Sequence, residues 1–178
     1  MNIKCEIKQI KNKLEQIEKE LNKSTTIDDI KVGEQFIYNG HNYTKLTEYN
    51  YCIIDDYDDS FMNCIFDPIS NNYDESLVRQ YINSYRFIGR LGANKNDLEV
   101  CYDDKNCITL ISMDEYKSYK NSICNYSCWW MSRSSYSSND GYFCCFNSGG
   151  YVYNYNVNYS NGVRVCFILK HNTSVTRK

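Results

Sequence analysis

CWWMSRSSYSSNDGYFCCFNSGGYVYNYNVNYSNGVRVCFIL, residues 128–169, decides how the rest of the chain is read. After the Trp129-Trp130 pair it offers only short strand-like runs, broken at every few residues by Asn and Gly, which end regular structure. Along residues 151–159 the alternation puts Tyr151, Tyr153 and Tyr155 on one face of a strand and Val152 on the other. Val157 breaks that alternation, so a bend or bulge is expected near Asn156. The pattern predicts Val152, Val157 and Val163 pointing inward and the Tyr and Asn residues between them pointing outward.

Upstream the periodicity changes. DESLVRQYINSYRF, from Asp74, places Leu77, Val78, Tyr81, Ile82 and Tyr85 on one helical face. Ser112 and Glu115 stand in capping-box spacing at the start of a second, short helix. CITLIS before it reads as a buried strand, YNYCII as another, and GEQFIYNGHNYTKL as a hairpin turning at Asn39-Gly40. Asp55, Asp56, Asp58 and Asp59 read as a solvated loop, since the spacing and glycine of a calcium-binding loop are missing. Helices first and irregular short strands after make an α+β domain.

The N-terminal segment is of another kind. Ile3, Ile7, Ile10, Leu14, Ile17 and Leu21 alternate spacings of four and three, a heptad seam. Glu6 with Lys11, and Lys13 with Glu18, form opposite-sign g-to-e pairs suited to a parallel assembly. Leu at a with Ile at d favours a homotrimer or homotetramer over a dimer. Packing of this helix on its own domain is the alternative. The organisation read from sequence is therefore a coiled-coil helix over residues 1–23 and a ligand-binding domain over residues 24–178.

Composition narrows the function classes. The chain has 178 residues, 18 of them Tyr, against one Pro and two His, with a net charge of −2. That balance gives no general electrostatic footprint for nucleic acid. No apolar run approaches a membrane span, and the charged start is not a signal peptide, so manufacture in the cytoplasm without membrane insertion is expected. The ten cysteines are scattered and form no paired CxxC units, which reads as free, mostly buried thiols with no metal site. His41 and His171 have no catalytic motif around them, so no enzyme and no cofactor are expected.

Four blocks, SLVRQYINSYRF, TLISMDEYKSYK, CWWMSRS and NGVRVCFIL, resemble in order and spacing a domain family of Firmicutes and their phages. Its signature is a tryptophan pair followed by Arg-Ser and, later, Gly-Val-Arg-Pro. The resemblance covers roughly residues 27–170. It implies a C-type-lectin-like fold with short strands and two helices, similar at a distance to formylglycine-generating enzymes. It also implies scaffold roles for Trp129 and Trp130, as core-filling residues, and for Arg133 and Arg164, as donors to loop carbonyls. The chain departs from the signature where Ser132 stands before Arg133 and where Val165 replaces the proline after Gly162-Val163-Arg164.

The stretch between the last two blocks, about residues 134–161, is similar to the variable region of proteins diversified by retroelements. Such elements mutate adenines in AAY codons, and the products never include Lys, Glu, Gln, Met or Trp. From Ser134 to Asn161 none of the five occurs, although about six would fall there at their frequency elsewhere in the chain. Six Tyr, six Asn and six Ser dominate the span instead. The alternative is a Tyr/Asn/Ser-rich loop region of an AT-rich genome. Tyr and adaptable small polar residues are also what antibody loops use, because Tyr gives large amphipathic contact with few rotors. The ligand-contacting residues expected on this basis are Tyr136, Ser137, Asn139, Tyr142, Phe146, Tyr151, Tyr153, Tyr155, Asn156, Asn158, Tyr159 and Asn161.

The sequence thus reads as a receptor-binding protein for an unknown protein or glycan on a cell surface, with a phage tail as the favoured location and a bacterial surface the second. A structural virion or cytosolic interaction protein without diversification is the alternative, and a formylglycine-generating type of oxygenase a remoter one. Sequencing the flanking DNA is expected to find a near-copy of this 3′ region beside a reverse-transcriptase gene, differing only at adenines. A neighbourhood without such a copy would remove active diversification.

Overall fold

Asn39 and Gly40 take positive φ values of 49° and 85°, the backbone that a two-residue hairpin turn demands. The computed structural model describes residues 7, 10–15, 25–100, 106–124, 126–136 and 141–178. The turn joins β1 (Gln35–Tyr38) to β2 (His41–Lys45), and β3 (Tyr51–Ile54), β4 (Asn63–Ile65), β5 (Leu98–Glu99) and β6 (Ile108–Leu110) follow. The later strands are β7 (Trp130–Ser135), β8 (Tyr142–Phe146), β9 (Val152–Asn156), β10 (Ser160–Gly162), β11 (Val165–Leu169) and β12 (Thr176–Arg177). The helices are α1 (Leu77–Ile82), α2 (Tyr85–Arg90) and α3 (Met113–Tyr119). The chain is α+β, with strands predominating.

Two sheets result. The first runs β12-β1-β2-β3-β11-β5, with β6 also paired to β11; the second runs β4-β10-β7-β8-β9. β11 is wholly or nearly buried because it is shared: Val165 to Phe167 pair with β6, and Ile168 and Leu169 with β5. The segments at the two ends of the sheeted region also meet. The Ile27 amide donates to the Thr173 carbonyl at 2.9 Å, and the Val175 amide to that of Thr25 at 2.9 Å. One apolar core takes Phe36, Tyr43 and Phe167 from the first sheet and Met131, Phe143 and Cys145 from the second. A smaller cluster on the other side holds Trp130, Phe146, Tyr116, Tyr126 and Cys166.

The helical face expected from Asp74 onward is broken. α1 ends at Ile82 because the Asn83 side chain turns back, its Nδ2 donating to the Arg79 and Ile108 carbonyls at 3.0 and 2.9 Å. Ser84 then accepts from the Phe87 amide and caps α2. Val78 and Ile82 are buried as expected, whereas Leu77 is largely exposed and Tyr85 fully so, since α2 starts on a new axis. The short helix begins where the capping box put it: Ser112 accepts from the Glu115 amide, and Glu115 from that of Ser112.

The acidic run is also not simply solvated. Asp55 is buried, and its carboxylate accepts from Arg164 Nη2 at 2.6 Å, Gln35 Nε2 at 3.0 Å and Thr44 Oγ1 at 2.7 Å. Arg164, with no exposed surface, completes its bonding with Nε to the Ile54 carbonyl (2.7 Å) and Nη1 to that of Cys124 (2.9 Å). Its guanidinium lies against two adjoining rings, 4.8 Å from the centre of Tyr126 and 5.1 Å from that of Trp130.

Of the heptad segment, Ile7 and residues 10–15 are helical; Ile3, Ile17 and Leu21 lie outside the described residues. Ile7, Ile10 and Leu14 are about half exposed, so these seam positions are not used by the chain's own core. Cys52, Cys64, Cys124, Cys128, Cys144, Cys145 and Cys166 are free thiols, with Cys52, Cys144, Cys145 and Cys166 buried; Cys5 and Cys101 lie outside the described residues.

Removing the guanidinium while leaving Asp55 buried costs about 3–5 kcal/mol for a pair of this kind. Arg164→Met is therefore expected to lose that much in guanidinium chloride unfolding, and Arg164→Met with Asp55→Asn to recover part of it.

Candidate binding surface

The region built by residues 128–162 is organised by the β8–β9 hairpin. Its turn is closed locally: the Asn147 side chain accepts from the Gly149 and Tyr151 amides, both at 2.9 Å, and the Asn147 amide donates to the Tyr151 carbonyl. Gly150 takes φ +75°, and a Cβ there would lie 2.5 Å from the Tyr116 hydroxyl. That hydroxyl donates to the Gly150 carbonyl at 2.7 Å, so α3 holds the tip of the hairpin. Burial raises the pKa of Tyr116, which keeps its phenol in the donor state.

Cross-strand neighbours share a face of the sheet. Cys145 stands opposite Tyr153 and Phe143 opposite Tyr155, so these tyrosines lie on the side of the main core, at its margin. There they meet Trp129, whose ring centre is 5.0 Å from Tyr153 and 6.0 Å from Tyr155; Tyr159 adds to the other side of Tyr155 at 5.7 Å. Tyr155 is half-buried, while Trp129, Tyr153 and Tyr159 are 40%, 47% and 59% exposed. The result is a continuous aromatic strip facing solvent, without a charged side chain in it.

Trp129 is the residue that the sequence reading misplaced. Neighbours on an extended backbone point to opposite faces, so only one of the pair can fill a given core. Trp130 does so, at 1% exposed, 4.2 Å from the ring centre of Phe146. Trp129 is turned the other way and supports the tyrosines. Its backbone is fixed from behind: the Gly162 amide donates to the Trp129 carbonyl at 2.8 Å. A Cβ on Gly162 would sit 2.4 Å from Cys128 Sγ and 2.6 Å from that carbonyl oxygen. Burial pushes the Cys128 thiol up to about 11, so it is a packing group here rather than a thiolate.

The remaining expected contacts divide by position. Tyr151 is 70% exposed at the hairpin turn, apart from the strip, and Tyr136 is 42% exposed at the far end of β7. Tyr142 and Asn156 are partly exposed and Asn158 is exposed. Phe146 and Asn161 are corrections. Phe146 has no exposed surface, because it is packed between Trp130 and Tyr116, and Asn161 is buried where β10 pairs with β4. Ser137 and Asn139 lie outside the described residues. Val157 and Val163 are buried as expected, and the bend falls where it was placed, since β9 stops at Asn156. Val152 is 47% exposed instead of inward, because the smaller core ends at its cross-strand partner Phe146.

Arg133 and Arg164 do bond carbonyls. Arg133 donates to the Leu110 carbonyl and, at 2.7 Å, to Glu115 Oε1, which ties β7 to β6 and α3. Beside Tyr151 lies a second feature that sequence alone did not show, a cavity of about 350 Å³ lined by Tyr116, Tyr126, Trp130, Lys120 and the Gly149-Gly150 turn. Its residues come from three separate segments, so no local pattern could have grouped them. Among the described residues no group of three His, Cys, Asp or Glu side chains could hold a metal ion. No described helix is long and apolar enough to cross a membrane.

No family model, no curated protein and no solved structure matches this chain. The surface must therefore be read from its own chemistry. Large exposed aromatics on a sheet, with uncharged hydrogen-bonding groups between them, make a face suited to contact.

The two tryptophans are expected to separate cleanly. Trp130→Ala should cost about 3–5 kcal/mol as a large-to-small core change, and Trp129→Ala less than about 1 kcal/mol, both read by guanidinium chloride unfolding.

Proposed function

We propose that this chain is a ligand- or receptor-binding protein, with a C-type-lectin-like domain presenting a retroelement-diversified face. The observation that carries the reading is the solvent-facing strip of Trp129, Tyr153, Tyr155 and Tyr159. Three of its four rings come from the span that lacks Lys, Glu, Gln, Met and Trp, and the fourth comes from the flanking block. Exposed Tyr and Trp held by a scaffold supply contact area at low entropic cost, which is how paratopes work. The aromatic strip, Tyr151 and the cavity beside it together form the recognition face, with Asn158 as an adaptable hydrogen-bonding group.

The N-terminal helix gathers three or four copies of this face through its exposed seam. Ile7, Ile10 and Leu14 support the reading, since all three are helical and exposed on the single chain. Linked copies raise avidity without any new contact, which suits weak recognition of a repetitive cell surface. A phage tail is the setting this arrangement fits best, with a protein or glycan of the host envelope as ligand.

The test is adsorption of the purified chain to candidate host cells, with Tyr153, Tyr155 and Tyr159 changed together to Ala. Binding is expected to fall at least tenfold. Since Tyr155 packs at the margin of the main core, Tyr153→Ala with Tyr159→Ala, whose unfolding midpoint should stay within a few degrees, keeps loss of binding distinct from loss of fold. Unchanged adsorption would leave the strip with no recognition role.

A further inference from the structure

β9 is the last strand of its sheet, and no other described strand pairs with its outer side. The register shows which of its backbone groups are free. Across the hairpin, the Asn147 amide donates to the Tyr151 carbonyl and the Val157 amide to the Gly141 carbonyl, both at 3.0 Å. In an antiparallel ladder the bonded pairs alternate with non-bonded ones. Tyr153 opposite Cys145 and Tyr155 opposite Phe143 are therefore the bonded pairs between these two, and their amides and carbonyls face β8. Val152, Asn154 and Asn156 turn theirs outward. The Asn156 carbonyl is used, since it accepts from the Tyr159 amide at 3.2 Å. The amides and carbonyls of Val152 and Asn154 have no hydrogen-bond partner among the described residues, and both residues are exposed.

Proteins ordinarily protect such an edge with Lys, Pro, a bulge or a covering segment. β9 reads VYNYN, without a charge or a proline, and its register with β8 is unbroken. On one side of the open edge stands Tyr153, already stacked on Trp129; on the other stand Val152 and Asn154.

We propose that β9 takes an extended peptide segment of its ligand as an added strand. Val152 and Asn154 each exchange an amide and a carbonyl with it, four hydrogen bonds in an antiparallel register. The ligand residue facing Tyr153 then forms a close, non-bonded pair, where a β-branched or aromatic side chain packs best against Tyr153 and Trp129. β9 itself carries no charged side chain, so the contacts it makes directly with the peptide are uncharged. This rests on reading the face as a recognition surface and narrows the ligand from any protein or glycan to a polypeptide with an accessible extended segment. A glycan has no repeating amide to match the two free residues.

The test uses the full chain, panned with a phage-displayed library of random dodecapeptides, followed by fluorescence anisotropy on the selected peptide made synthetically. N-methylation of backbone amides at one parity of the peptide is expected to weaken binding at least about tenfold, and at the other parity by less than about threefold. Asn154→Pro removes one outward amide and no bond to β8, so it should abolish binding, while Asn154→Ala retains it. If Asn154→Pro fails to fold, the N-methyl series alone decides. Equal sensitivity at both parities, or no selectable peptide, would overturn the proposal. So would binding on a glycan array that depends on Tyr153 and Tyr155 but not on the Asn154 amide; that result would leave the recognition face intact. Self-association in sedimentation that Asn154→Pro dissolves would assign the edge to a second copy of the chain and likewise overturn it.

Discussion

The guanidinium of Arg164 is the fixed point of the domain. It has no contact with solvent, and all three nitrogens donate: to the end of β3, to the carbonyl of Cys124 and to the carboxylate of Asp55. The rings of Tyr126 and Trp130, themselves in edge contact, both lie against it. Burying a cation is costly unless it is hydrogen-bonded and a counter-charge is in place; here each guanidinium nitrogen makes a bond and Asp55 supplies the charge. From this point contacts run outward in order. Trp130 lies against Phe146 and Tyr116, and Tyr116 holds the Gly150 carbonyl at the tip of the β8–β9 hairpin. The aromatic strip is thus carried on a hairpin whose base and tip are both secured from the core side.

This arrangement separates two jobs that a recognition loop must otherwise combine. The hairpin is held by backbone bonds, by the Asn147 side chain and by residues outside it, while Tyr153 and Tyr159 contribute little to the core. On the proposed reading, order is supplied before a ligand arrives, so less conformational freedom is lost on binding. The absence of charge also matters, because the strip's contacts are weakly dependent on ionic strength.

Much of the fold was legible in the sequence where the signal was local. The Asn39-Gly40 turn, the Ser112–Glu115 capping box and the bend after Asn156 each depend on a few adjacent residues, and each appears where the pattern put it. What failed depended on distant partners. The helical face from Leu77 to Tyr85 was interrupted because Asn83 finds the Ile108 carbonyl, twenty-five residues away. Asp55 read as one of four solvated acids until Arg164, more than a hundred residues on, turned out to be its partner. In the candidate surface, the tyrosines were legible from composition, whereas alternation put Val152 inward and Tyr155 outward, and the structure exposes Val152 and packs Tyr155 at the margin of the main core. Phe146 was not legible, because its surroundings come from α3 and β7. The role of Trp129 was available in principle, since two consecutive residues on a strand cannot share a face.

The burial pattern within residues 134–161 has a consequence for variation. Phe143, Cys144, Cys145, Phe146, Val157 and Asn161 are enclosed, while Tyr151, Val152, Tyr153, Asn154, Asn158 and Tyr159 are open. A change at the open set alters what is presented and leaves the packing alone; a change at the closed set must first pass as a core substitution. On the proposed reading, the domain filters variants by foldability before any ligand does. Among the described residues of this span, most of the open positions lie on one hairpin and its following turn, so that is where variation changes the surface at least cost to the fold.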